Sequence, residues 1–159
     1  PTTKRGLARQ LLDPSVAEKV AMNAPCSVLL ARSLEIGHGH LACTDGSERA
    51  LAMVSKDALF AKRCECAISL LSVARDVESE ALAKGYVDEA RMVAEEQGAE
   101  VDETHTVVGE PVDEIIEMGA NHSIIVMSDA SHSEIGQVFV GSVTKQVLRK
   151  AHNSVLIIR

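Results

Sequence analysis

The segment SDASHSEIG, residues 128–136, sets a serine, an aspartate and a histidine close together (Ser128, Asp129, His132). These are the residue types of a nucleophile, an orienting acid and a base. That chemistry needs the nucleophile on a strained strand-to-helix elbow, in a G-x-S-x-G pattern, with partners held in fixed geometry. Here all three share one loop and no such elbow is present, so catalysis of that kind is not expected. Two further pairs could meet a metal from one face of an extended segment: His38 with His40, and Cys64 with Cys66. The plainer reading leaves the histidines solvent-exposed ahead of the first strand and makes the cysteines small core residues. The four cysteines lack the paired C-x-x-C spacing of a zinc site. With no nucleophile and titratable partner converging, the chain reads as a non-enzymatic module.

What must position any site is a series of short apolar runs alternating with helical patterns from His40 onward, the signature of β-α units in a parallel sheet. Strands are expected at 41–44, 67–73, 104–108, 123–127 and 154–158. The first helix turns Leu51, Val54 and Ala58 inward and leaves Lys56, Asp57 and Lys62 to solvent. The second lies within 77–97, with Ala83, Val87, Ala90 and Ala94 as its buried stripe and Gly98 as its stop. Pro111 suits the first position of the third, which ends near Gly119, and Ser142 is the expected N-cap of the fourth, 142–150. The fold class is α/β, a doubly wound five-stranded parallel sheet of the Rossmann-like type. Ligands of such sheets bind at the carboxyl ends of the strands where the chain reverses direction, which here means segments 45–47, 73–76 and 128–142.

At 159 residues and 46% hydrophobic side chains, the chain can bury one domain-sized core. Aromatic residues make up 2% and the net charge is −7, which argues against a nucleic-acid surface. No apolar run approaches the roughly 18 residues of a membrane span, and the N-terminus has no hydrophobic signal core. No membrane insertion and a cytoplasmic location are the expectations.

The pieces TDGSERA (44–50), GEPVDEII (109–116), IIVMS (124–128) and GSVTKQVLRKAHNSVLIIR (141–159), in that order, resemble the universal stress protein family over about 37–159. The resemblance implies a nucleotide-binding-like α/β fold that dimerises through its last strand, Ser154, Val155, Leu156, Ile157 and Ile158. In one branch of the family it implies ATP binding, marked by Gly-x-x-Gly, nine residues, then Gly-Ser or Gly-Thr. Glycines there let backbone N–H groups approach phosphate, and the following helix start offers unpaired donors and a positive dipole end. The matching positions are Ser128, Ser131, Gly141 and Ser142, so the first two glycines are absent. A serine forced to φ > 0 costs on the order of 1 kcal/mol, and its side chain obstructs a phosphate. Asp45 stands where the family directs an acidic group toward adenine or ribose, and is also the expected cap of the first helix; Val73 matches a position beside the base. The cofactor expectation is therefore none, with ATP or AMP as the alternative.

One internal repeat remains. SVAEKVAMNAPCSVLLAR (15–32) aligns without a gap on SVTKQVLRKAHNSVLIIR (142–159), about 127 residues on, a separation of one small domain. Residues 1–36 thus resemble the closing helix and strand of a first universal-stress-type repeat, and 37–159 a complete second one. A lone helix and strand need a partner surface, and the expected one is the edge strand 154–158, in the same molecule as a pseudo-dimer or in a neighbouring copy as a homodimer. The functional expectation is a regulatory or stress-response module acting through dimerisation and an unidentified protein partner. The alternatives are an ATP- or AMP-binding switch, and the soluble regulatory tail of a membrane transporter.

Overall fold

The structure, a computed structural model, describes residues 16–32, 39–129 and 140–159. Strands form where apolar runs leave no polar face: β2 (His40–Cys43), β3 (Ile68–Ala74), β5 (Ile124–Ser128) and β6 (Ser154–Ile158). Successive side chains leave a strand on opposite faces. Leu41, Leu71, Ile125 and Ile157 accordingly enter one buried cluster, while Ala42, Leu70, Val126 and Ile158 enter the other. β4 (Val101–Val108) closes one edge and carries Asp102 and Glu103 on an exposed stretch, a pattern that discourages further strand pairing. It begins ahead of the expected 104 because its pairing with β3 continues past a register shift between Ile68 and Leu70.

Helices α2 (Glu48–Cys64) and α3 (Glu80–Glu96) cover one face, the second burying Ala83, Val87, Ala90 and Ala94 as its spacing predicts. Gly98 takes φ +75°, the left-handed conformation that ends α3. The other face is covered by α4 (Pro111–Gly119) and α5 (Ser142–Lys150), joined by Ala21 of a short α1 (Val16–Asn23). Gly141, not Ser142, is the N-cap of α5; Ser142 is already the first helical residue.

The strand order is β1-β6-β5-β2-β3-β4, where β1 is Val28–Leu30. The five expected strands form a parallel sheet, and β1, from the leading segment, joins the outer edge of β6 antiparallel as a sixth, which makes the whole sheet mixed. The leading segment finds its partner surface on strand 154–158 of the same chain.

Two residues assigned to solvent are instead buried together. His40 opens β2 at 2% exposure, and its Nδ1 lies 2.8 Å from Oδ1 of Asp57 on α2, which has none. Phe60, a turn further along α2, places its ring centroid 5.4 Å from that of His40. The pair ties α2 to the base of the sheet, while Asp57 Oδ2 is buried without a hydrogen-bond partner among the described residues. His38 lies outside the described residues. Asp57→Ala leaves the His40 Nδ1 position without its acceptor, which costs about 1–3 kcal/mol, whereas Arg63→Ala on the exposed end of α2 should stay within about 0.5 kcal/mol. Urea unfolding checks this; equal midpoints for the two variants would show that the pair contributes nothing.

Candidate functional site

The turn after β2 is built by its own side chains. Thr44, buried, accepts the Gly46 N–H on Oγ1 at 3.1 Å. Gly46 has φ +73°, and a Cβ there would lie 2.0 Å from the Tyr86 ring, so only glycine fits. Asp45 Oδ1 accepts from the Ser47 N–H at 3.1 Å and from the Ser47 hydroxyl at 2.6 Å, and Ser47 Oγ accepts the Ala50 N–H at 3.2 Å. The cap of α2 is therefore Ser47, not Asp45. The short serine reaches the first helical turn, and the aspartate before it holds the hydroxyl in place. Asp45 itself remains exposed at the mouth of the turn.

Opposite lies the start of α5. Lys145 N–H donates to the Gly141 carbonyl at 2.9 Å, the first bond of the helix. The N–H groups of Ser142, Val143 and Thr144 therefore have no acceptor within the helix and carry its positive end. Thr144 is buried and donates from Oγ1 to the Ser128 carbonyl at 3.4 Å, fixing the helix start to the end of β5. Between these walls is a cleft of about 360 Å³. Leu71, Ile115 and Met127 give it an apolar floor, and Arg75 stands at its rim. The Arg75 guanidinium is 3.8 Å from Glu110, and both side chains are more than half exposed, a pair loose enough to be exchanged for a ligand anion.

The cleft brings together Asp45, Val73, Ser128, Gly141 and Ser142. Ser131 and His132 lie outside the described residues. Asp129 is buried and held by Arg49 Nη1 at 3.2 Å and Arg159 Nε at 3.8 Å. Thr44, Arg75 and Thr144 are additions. Arg75 sits within the segment expected to line the crevice. Thr144 carried no signal beyond its place in the first turn of the helix. Cys43 also lines the cleft, and burial pushes its thiol up to about 12. It is a neutral group at physiological pH and not a nucleophile. Among the described residues no cluster of three metal-ligating side chains occurs. What the lining offers is helix N–H donors, one exposed guanidinium, one carboxylate and an apolar floor, a set suited to holding a small anionic ligand with an apolar part.

Comparison with known proteins agrees on one family. The sequence model of the universal stress protein family matches residues 40–159. None of the curated proteins matches this chain. Among solved structures, a universal stress protein from Archaeoglobus fulgidus is 25% identical with a TM-score of 0.70, over 78% of this chain and all of that one. A universal stress protein in complex with cAMP is 26% identical with a TM-score of 0.64, over 77% of this chain and 96% of that one. A longer universal stress protein from Archaeoglobus fulgidus DSM 4304, 19% identical, shares the fold at a TM-score of 0.71 over 96% of this chain and 56% of its own. This chain spans little more than half the length of that relative.

With its thiol pushed to about 12, only about one Cys43 in ten thousand is a thiolate at pH 8. Iodoacetamide should modify the exposed Cys26 and Cys64 while Cys43 lags by orders of magnitude, read by peptide mass spectrometry. Because the folded value lies above the ordinary 9.0, the associated stability is complete below that pH and is lost as pH rises toward about 12. Modification of Cys43 at the rate of Cys26 in folded protein would overturn this assignment.

Proposed function

The chain belongs to the universal stress protein family, and on that premise we propose that it is a non-enzymatic regulatory module whose cleft takes an adenosine nucleotide with a single phosphate and holds ATP weakly. The observation that carries this reading is that Asp45, Val73, Ser128, Gly141 and Ser142, far apart in sequence, line one cleft. The start of α5 supplies N–H donors for one phosphate, and Arg75 can add a charge-assisted bond. Asp45 is an acceptor for ribose hydroxyls, and Val73 offers an apolar surface to the base. The ATP-binding pattern of the family has glycines at the positions matching 128 and 131, and this chain has serine at both, which adds side-chain atoms to a sequence pattern suited to further phosphates. The relative in complex with cAMP supports a single-phosphate ligand. The non-enzymatic part of the reading is supported by the neutral Cys43 thiol and by the arginines that hold Asp129. The output is then a change in what the module binds, not a product it releases.

The test is thermal melting with AMP, cAMP and Mg-ATP. At a hundredfold excess over Kd, binding adds about 2.7 kcal/mol, which for a chain of this size raises Tm by about 5–10 °C. AMP or cAMP at millimolar concentration should give that shift and Mg-ATP a clearly smaller one. Arg75→Ala, on an exposed side chain, should weaken the nucleotide about tenfold and leave the ligand-free Tm unchanged. No shift with either mononucleotide, or an equal shift with ATP, would overturn the proposal.

A further inference from the structure

Cys64 and Cys66, expected as small core residues, are not both in the core. Ala61 is the last buried position of α2, and the helix end beyond it leaves Cys64 exposed, while Cys66 is only part-buried against the apolar cluster below. Free cysteines are ordinarily among the most buried residues, so two of them at one surface turn call for a reason. Metal binding does not supply it. Among the described residues no third ligating side chain joins the pair.

The turn between them sets their spacing. Glu65 closes α2 with φ 54° and ψ 37°, and among the described residues it alone has a positive φ without being glycine. Helical dihedrals at a middle residue, left- or right-handed, bring the flanking Cα atoms to about 5.4 Å, whereas an extended residue would hold them about 6.6 Å apart. The shorter span is close to the usual disulfide separation of about 5.5–6 Å. A side chain in this conformation costs on the order of 1 kcal/mol, and the turn is held in it by the Glu65 N–H donating to the Lys62 carbonyl at 3.4 Å and the Cys66 N–H donating to the Ala61 carbonyl at 2.9 Å. The Cys66 side chain folds back along the same turn, its Sγ 3.5 Å from the carbonyl oxygen of Cys64. Burial raises the Cys66 thiol, and Cys64 and Asp57 act in the same sense, so the two thiols lie within electrostatic reach of each other.

We propose that Cys64 and Cys66 form a reversible thiol–disulfide site, oxidised by a small-molecule disulfide of the glutathione class. Cys64 reacts first because it is exposed. Its thiolate attacks one sulfur of the small disulfide, breaking that S–S bond and releasing one small thiol, which leaves a mixed disulfide at Cys64. The Cys66 thiolate then attacks the Cys64 sulfur, forming the bond between the two cysteines and releasing the second small thiol. The two protons lost by the cysteines end on the two released thiols, and two electrons pass to the oxidant. A ring closed by so few residues gains little from loop entropy, and an exposed disulfide is readily reduced, so the bond is labile. The site lies ahead of β3, at the end of the sheet opposite the cleft. It stands whether or not a nucleotide binds.

The test uses the full chain carrying Cys26→Ser, which removes the other exposed thiol. Reduced protein is equilibrated with reduced and oxidised glutathione, and free thiols are blocked with iodoacetamide. Trypsin, cutting after Arg63 and Arg75, then releases both cysteines in one peptide, 64–75. The expected product is that peptide without alkylation and lighter by two hydrogens, returning to the dithiol in excess reduced glutathione. Cys66→Ser should stop at the mixed disulfide on Cys64, and Cys64→Ser should slow the reaction of Cys66 about tenfold or more. In urea at the same glutathione ratio, the proportion of ring to dithiol should fall about threefold or more, because the preformed turn is lost. A folded parent that stops at the mixed disulfide, links two chains or keeps both thiols free would overturn the proposal. So would a Cys66 that reacts as fast in Cys64→Ser, or a proportion of ring that urea leaves unchanged.

Discussion

The chain leaves β2 and β5, neighbours in the sheet, toward opposite faces. After Thr44 it enters α2 on one side, and α5, which follows β5, lies on the other. Parallel pairing of Ala42 with Val126 holds the two strand ends level, and the divergence of their helices leaves a gap between the described residues above them. That gap is the cleft. The start of α5 faces it because the Thr144 hydroxyl ties the first turn of that helix to the carbonyl of Ser128. Hydrogen bonding that is obligatory inside a sheet thus produces, at its rim, a place where backbone donors have no acceptor within their own helix.

The same strands are secured at each end by polar groups drawn out of water. At the base, His40 and Asp57 join β2 to α2. At the top, Asp129 follows β5 directly and sits between Arg49 of α2 and Arg159 after β6. Burying charge is costly unless it is paired, and removing one partner of such a pair costs more than the pair contributes. These contacts serve best as constraints on register. A slip of β2 by one residue would turn His40 away from Asp57 and exchange Leu41 and Ala42 between the two cores. The apolar clusters supply most of the favourable energy, and the polar pairs discriminate between alternatives that the apolar clusters alone would tolerate.

What the sequence disclosed follows from the range of the interactions involved. Parallel strands buried on both faces read as unbroken apolar runs, so IIVMS and SVLII were legible, and so was the alanine and valine stripe of α3. The cleft residues Asp45, Val73, Gly141 and Ser142 were legible because topology sends a ligand to strand ends and because the pieces around them resemble one family. Asp57 and His40 were not, since a charged side chain on an otherwise polar helix face looks solvated until a residue far away in the chain supplies its partner. The cap of α2 was misplaced by two residues because Asp45 and Ser47 are both good cap residues. Only the turn through Gly46 decides which one reaches Ala50. The sixth strand required a comparison of the chain with itself. Its three residues carry no periodic signal, and only their likeness to 155–157 shows where they belong.

That likeness also explains how so short a strand can hold a sheet edge. Three residues contribute few backbone hydrogen bonds, and an isolated helix of the length of α1 is marginal in water. The exchange of Arg32 and Arg159 compensates by satisfying the helix-end carbonyls of Ala21, Leu148 and Ala151. Those groups would otherwise be left to water at a crowded junction. Burial lowers the Arg32 value, but an arginine begins so high that it stays charged, and Glu18 acts in the opposite sense. The strand is therefore anchored at its end, where an arginine and a serine hydroxyl meet their counterparts, more than along its length. Sequence identity between the two segments is the economical way to achieve this, because one local geometry, a helix ending in reach of an arginine that follows a strand, then serves both sides of the contact.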